Sequence, residues 1–175
     1  MGLRAEAMGD LLTRARQGEQ AAFTEIVETH HEELVRVAYL VCGDVELARD
    51  AAQTTWIRAW QRLPSLRDPA KLRPWLLTIV ANEARQAMRS RRRRPVVSID
   101  AVDIEPSSVG PSPDRVDLMA ALGRLSPDDR ALLAFRYMAG IETEAIARAR
   151  GRTASGTRTR LSRLVARLRE ELRDA

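Results

Sequence analysis

Apolar residues recur three and four positions apart along most of the chain, the period of an α-helix with one buried face. Residues 10–16 predict a short helix ending near Gly18. A longer one starts at Gln20, with Phe23, Ile26, Val27, Leu34, Val37, Ala38 and Val41 on one face, and Gly43 stops it. Asp44 is placed to cap the next, where Val45, Ala48, Ala52, Thr55, Ala59 and Leu63 repeat at helical spacing as far as Pro64. Residues 64–74 predict a loop. Pro74 suits the first turn of a helix running through Trp75 to about Arg94, with Leu72, Leu76, Ile79, Val80 and Ala87 turned inward. Three or four such stripes satisfy one another as a bundle.

The period is lost after Pro95. Residues 95–114 are acidic and rich in Pro and Ser, which predicts a linker, although Val96, Val97, Ile99, Val102 and Ile104 could lie along a partner's surface. Strand patterning is absent apart from residues 96–99. A second helical unit then opens with Leu118, Ala121, Leu122 and Leu125. Ser126-Pro127-Asp128-Asp129 is a helix start, with Pro at the first position and carboxylates near the positive end of the dipole. Residues 141–163 predict two helices around a tight turn. The first has the stripe Ile141, Ala145, Ile146 and Ala149. Gly151 frees the backbone at its end, and Thr153 can cap the second helix. In that helix Thr157, Leu161, Leu164, Leu168 and Leu172 form one seam, while Ser155, Arg158, Thr159 and Ser162 point the other way. The expected architecture is therefore all-α: a helical bundle over 1–94, a linker over 95–114 and a helix-turn-helix unit over 115–175.

Charge sharpens this picture. The chain has 29 basic and 24 acidic residues, and Lys71 is its only lysine. Residues 1–71 hold 9 basic and 11 acidic groups, 72–94 hold 7 and 1, 95–114 hold none and 4, and 115–175 hold 13 and 8. Two basic blocks separated by an acidic spacer suggest two surfaces for a polyanion. One is the predicted helix from Trp75, whose outward stripe is Trp75, Thr78, Asn82, Arg85, Gln86 and Arg89 and which ends in Arg91-Arg92-Arg93-Arg94. Aromatic, amide and guanidinium groups there can stack on or hydrogen-bond to unpaired bases, and the terminal arginines attract phosphate without regard to sequence. The other is the outward face of the last helix, which a helix-turn-helix presents to a major groove.

Other chemistries find little support. A single cysteine, Cys42, allows no intrachain disulfide or thiolate cluster, and its apolar surroundings suit a small buried side chain. His30 and His31 are adjacent, so they leave different sides of a helix, and both are expected to be partly exposed rather than metal ligands. No Ser-His-Asp set or phosphate loop is present, so neither an enzyme nor a bound cofactor is expected. The N-terminus has no secretory apolar region, and Glu6 stands where myristoylation needs Ser or Thr. No apolar run reaches the roughly 18 residues of a membrane span, so a soluble cytoplasmic protein is expected, without membrane insertion. The chain ends with the second unit, so no further C-terminal domain is expected.

Three ordered segments together resemble the bacterial RNA polymerase sigma factors of the extracytoplasmic-function type, a group of the sigma-70 family. They are Asp44-Val-Glu-Leu-Ala-Arg-Asp50-Ala-Ala-Gln53-Thr-Thr-Trp56-Ile-Arg-Ala-Trp60, Trp75-Leu76-Leu77-Thr78-Ile79-Val80-Ala81-Asn82, and Leu125-Ser126-Pro127-Asp128-Asp129-Arg130 followed by Gly151 through Arg158-Thr159-Arg160-Leu161-Ser162-Arg163. The resemblance covers roughly 10–94 and 115–172. This chain departs from the family at Arg49 and Thr54, where carboxylates are common. It departs again at Arg150, where a hydrophobic residue is usual, and in the order Ser155-Gly156.

The resemblance implies a transcription-initiation factor that binds polymerase core. Asp50, Gln53, Thr54 and Ile57 would meet the clamp of the largest subunit, and the second unit would meet the flap of the second subunit. Ser65, Arg67, Trp75, Thr78, Asn82, Arg85, Gln86 and Arg89 would capture and hold open the −10 element of promoter DNA. Arg152, Ser155, Arg158, Thr159, Ser162 and Arg163 would read the −35 element as duplex. An anti-sigma factor is the further partner implied. Two rival readings use less of the chain. A stand-alone helix-turn-helix regulator accounts for 115–175 but leaves the two N-terminal faces unused, and a helical adaptor protein needs neither basic block.

Overall fold

The computed structural model describes residues 2–93 and 113–173, and among these there is no strand. The helices are α1 (Gly2–Arg16), α2 (Gln20–Cys42), α3 (Val45–Arg62), α4 (Leu72–Arg93), α5 (Pro113–Gly123), α6 (Pro127–Leu133), α7 (Thr143–Ala149) and α8 (Ala154–Glu171). Two short 3₁₀ turns, Leu63–Ser65 and Pro69–Lys71, fill the connection between α3 and α4. Beyond α6 the chain widens into a π-helical turn, Ala134–Met138. The expected linker lies outside the described residues except for 113 and 114, which open α5.

Local chemistry sets most of these boundaries. Gly43 closes α2 at φ 72° and its N–H reaches the Tyr39 carbonyl. The Asp44 carboxylate then accepts the Leu47 N–H at 2.9 Å, capping α3. Ser126 Oγ accepts the Asp129 N–H at 3.2 Å to start α6. Thr153 Oγ1 accepts the Gly156 N–H at 3.1 Å to start α8. Gly151, at φ 61°, supplies the left-handed residue in the turn before it.

Helices α2, α3 and α4 pack on one another and α1 leans on α2. Their shared interior holds Leu12, Ile26, Leu34, Val37, Leu72, Leu76, Leu77 and Val80. Phe23 meets Trp56 and Trp60 edge-on, with centroids 5.9 and 4.9 Å apart, which ties α2 to α3. The core does not stop at this bundle. α6 packs on α2 and α7 on α4, so Leu132, Leu133, Phe135 and Ile141 join the same buried cluster.

Several expectations from the pattern need correcting. Leu118 and Leu172 are exposed, not buried, because α5 packs chiefly against α8 and, among the described residues, no third layer closes over the two. Ala149 is also exposed, and Thr143 and Ala147 are buried beside Ile146 instead. Ala87 is only half-buried. His30 is buried at 9% exposure beneath α4's first turn, and burial pushes its pKa below the ordinary value. His31, on the next side of α2, accepts the Trp56 indole N–H at 3.1 Å. Helix α1 begins well before residue 10. Cys42 is buried as expected, its thiol raised by burial and donating to the Asp44 carbonyl at 3.1 Å.

Candidate nucleic-acid interface

Helix α3 buries Ala48, Ala51, Ala52, Thr55, Trp56 and Ala59, so its remaining side faces water. Asp50, Gln53 and Ile57 are exposed there and Thr54 is half-buried. Ile57 keeps 61% of its surface in solvent, which suits a contact face better than a bundle helix.

The segment after α3 is a folded loop. Ser65 Oγ donates to the Arg62 carbonyl at 2.7 Å, and Asp68 accepts the Ala70 N–H at 3.0 Å. Ser65 and Arg67 are exposed, as is Lys71, whose ammonium stands 3.4 Å from Asp68. Arg73 fixes the base of α4 to α2 with a bidentate pair to Glu33, at 3.0 and 2.6 Å. The loop is therefore tied to α3 at its first end and runs into α4 at its second, with α1 against both of its turns.

Along α4 the expected stripe divides. Asn82, Gln86 and Arg89 are exposed, while Trp75, Thr78 and Arg85 are half-buried. Trp75 packs partly on the core. Thr78 Oγ1 donates to its own helix at the Pro74 carbonyl, 2.9 Å away. Arg85 donates both to Asn82 Oδ1 and, at 2.5 Å, to Asp128 of α6. Burial pushes its guanidinium below the ordinary value and Asp128 pulls it back, so it stays cationic. At the far end Arg91 bonds the capping carboxylate Asp44. Burial alone would raise Asp44, but the Leu47 N–H and Arg91 outweigh it and hold the acid low. Of the terminal cluster, only Arg91 has a described side chain.

The second surface is simpler. Thr157, Leu161 and Leu164 bury one side of α8, which leaves Ser155, Arg158, Thr159, Ser162 and Arg163 exposed, with Arg152 in the turn before them. Arg158 donates to Glu144 at 2.8 Å and Arg160 to Asp129 at 2.6 Å. Asp129 is pushed up by burial, yet Arg160 and Ser126 together hold it below the carboxylate range. Arg150, the residue before the turn glycine, is held by Asp128. The sequence marks Asp128 only as part of a helix start within a family segment, and it gives no role to Glu83 or Glu144. Their partners lie on other elements, so nothing along the chain marks them. Among the described residues, no group of three His, Cys, Asp or Glu could hold a metal ion.

The model of the family described as Sigma-70 region 2 matches residues 26–94, the stretch that carries the α3 and α4 faces. The extracytoplasmic-function (ECF) sigma factor SigL of Mycobacterium tuberculosis is 32% identical over 166 residues, covering 91% of this chain and 94% of its own length. The chain belongs to the extracytoplasmic-function RNA polymerase sigma factors. The sigma-E factor of Streptomyces antibioticus is 31% identical over 157 residues, 89% of this chain and 87% of that one. A Xanthomonas campestris relative, RfaY, is 33% identical, but this sigma factor spans only 43% of its length. Among solved structures, the sigma factor RpoE of Bartonella quintana in complex with the anti-sigma factor NepR is similar at TM-score 0.71 and 28% identity, over 86% of this chain and 96% of that one. CnrH in complex with the cytosolic domain of CnrY shares the fold at TM-score 0.73 and 23% identity, over 96% and 98%. As a member of the family, this sigma factor acts in transcription initiation. No described helix is long and apolar enough to cross a membrane.

Proposed function

We propose that this sigma factor works as two reading heads on one polymerase-bound chain, with 1–94 and 115–175 as the heads and 95–114 joining them. The outer face of α3, with Asp50, Gln53, Thr54 and Ile57, docks on the clamp of the largest polymerase subunit, and the second head meets the flap of the second subunit. The loop at Ser65 and Arg67, with Asn82, Gln86 and Arg89 on α4, takes the −10 strand once it is unpaired. Trp75, Thr78 and Arg85 shape the inner wall of that site. Arg152, Ser155, Arg158, Thr159, Ser162 and Arg163 read −35 duplex in its major groove. An anti-sigma factor, of the class bound to the Bartonella relative, is the opposing partner. All of this belongs in the cytoplasm and involves no catalysis.

The observation that carries this reading is the exposed polar edge Asn82–Gln86–Arg89 on α4, the helix that the folded loop leads into, within the segment matched as region 2. A loop beside a polar helix face can enclose a flipped base, which a duplex offers only after unstacking. Asn82→Ala should therefore impair opening of a duplex promoter by polymerase carrying this factor, and a premade bubble should partly restore it. Permanganate reactivity of the −10 thymines reports the opening. If Asn82→Ala opens duplex promoter as well as the parent, α4 is not the strand-capturing element. A stand-alone regulator would instead shift promoter duplex in a gel without polymerase core.

A further inference from the structure

The outward arginines of α8 are not equivalent. Arg158 reaches back to α7, where its Nη2 donates to Glu144 Oε1 at 2.8 Å across 14 positions of sequence. Arg163, exposed further along the helix, has no such partner among the described residues. Both ends of the pair stand on fixed backbone. Thr143, Ile146 and Ala147 bury the inner side of α7, and Thr157 and Leu161 bury that of α8. The Arg152 N–H closes the turn between them on the Ala147 carbonyl at 2.8 Å. Glu144 is itself held. Its own backbone N–H, then Arg158, and more distantly Arg136 of the π-helical turn keep the acid below its ordinary range, against the opposing effect of desolvation.

The pair faces solvent, with 63% of the Arg158 side chain and 53% of that of Glu144 exposed, so it contributes little to stability. A carboxylate there also weakens the pull on every phosphate that approaches α8. What it supplies is direction. A guanidinium carries five N–H groups in one plane, and Glu144 takes one of them from Nη2. The remaining donors are then aimed as a fixed fork, and guanine offers a matching pair of acceptors, O6 and N7, in the major groove. Without a partner, the same long side chain would divide itself among phosphates and bases. We propose that Glu144 is a positioning residue of the −35 interface, which fixes the Arg158 guanidinium so that it selects guanine over the other bases. Glu144 touches no base itself. This rests on the reading of α8 as the −35 helix.

The test uses polymerase core carrying the full chain and a duplex library randomised across the −35 segment, with the bound fraction sequenced. Arg158→Ala locates the base pair that this arginine reads. Glu144→Ala should lower the preference for guanine at that pair about twofold to fivefold, the range of an exposed ion pair, and leave the other pairs unchanged. In the Arg158→Ala background it should change no preference further. Glu144→Gln keeps an acceptor oxygen and should retain part of the preference. Glu142→Gln removes an exposed carboxylate from the same end of α7, one that makes no capping bond. It should tighten binding to all sequences, as Glu144→Ala does, yet leave the guanine preference intact.

Full guanine preference in Glu144→Ala, where Arg158→Ala has lost it, overturns the positioning role alone. Lost preference for cytosine at a neighbouring pair, in the Glu144 variants but not in Arg158→Ala, shows Glu144 reading a base directly and also overturns it. A uniform loss from Arg158→Ala overturns the reading of α8 and the positioning role with it. If Glu144→Ala disturbs the fold, seen as lost far-ultraviolet helicity, Glu144→Gln decides, and an intact preference there overturns the role.

Discussion

Arg58→Met should destabilise this sigma factor more than Glu83→Gln, although both break one ion pair. Arg58 on α3 approaches Glu83 Oε1 on α4 at 2.5 Å, and that oxygen accepts no hydrogen bond. The partners are buried unequally: Arg58 keeps 38% of its side-chain surface in water and Glu83 only 5%. Without Arg58, a carboxylate is left inside the bundle with no counter-charge, which costs about 3–5 kcal/mol. Without the Glu83 charge, the guanidinium turns to solvent and a neutral amide stays behind, a loss of about 1–2 kcal/mol. For a chain of this length each kcal/mol moves the melting temperature by about 2–4 °C. The expected drops are therefore about 6–20 °C for Arg58→Met and about 2–8 °C for Glu83→Gln. The double variant Arg58→Met, Glu83→Met removes both charges and should regain most of the loss, since apolar groups of similar size replace a buried pair at little cost. Urea and thermal unfolding of the free chain at neutral pH give the ordering. Equal losses, or a larger loss from Glu83→Gln, would refute the argument from unequal burial.

On the −35 side, Arg158→Ala should lose about 1–3 kcal/mol at particular base pairs, whereas Arg163→Ala should weaken binding at all sequences and lower the salt slope. Polymerase bound to promoters carrying single −35 substitutions measures both, and a uniform loss from Arg158→Ala would reject its base-reading role. His30 should make stability fall with acid. Burial lowers its pKa against the opposing pull of Glu33, with Arg73 adding to the lowering, so below the ordinary value near 6.5 the unfolded chain takes up a proton that the native ring refuses. Stability should hold above about pH 6.5 and decline below it, and His30→Met should flatten that part of the curve in denaturant titrations. A decline of the same size in the variant would assign it to other groups.

What could be read from the chain was local. Gly43 with Asp44, Ser126 with Pro127, and Gly151 with Thr153 fix helix ends through bonds spanning three or four residues, and these boundaries fell where the sequence placed them. The exposed faces of α3 and α8 also come from period alone, since each helix has one covered side. Helix α4 broke that rule. It packs on α2, α3 and α7, so Leu77, Glu83 and Ala84 are buried in addition to the expected stripe, and Arg85 turns inward. A single stripe read from period leaves out a second covered side, here the apolar Leu77 and Ala84 with the polar Glu83 between α3 and α4. Leu118 and Leu172 failed for the opposite reason: their stripes are apolar, but no further element covers them among the described residues. The pairing of Arg85 with Asp128 spans 43 positions and depends on how the heads meet, which no local pattern encodes.

Because 28 of the 29 basic residues are arginine, the charge on this surface cannot be switched by chemistry that acts on amines. Acetyl transfer has one side-chain amine to find, Lys71 in the loop ahead of α4, and protonation leaves every guanidinium unchanged at any pH a cell reaches. Each cation here is permanently on. Its pull on DNA is tuned by the carboxylate that stands next to it, as Glu144 stands by Arg158 and Asp129 by Arg160, so geometry rather than amine chemistry sets the charge it offers.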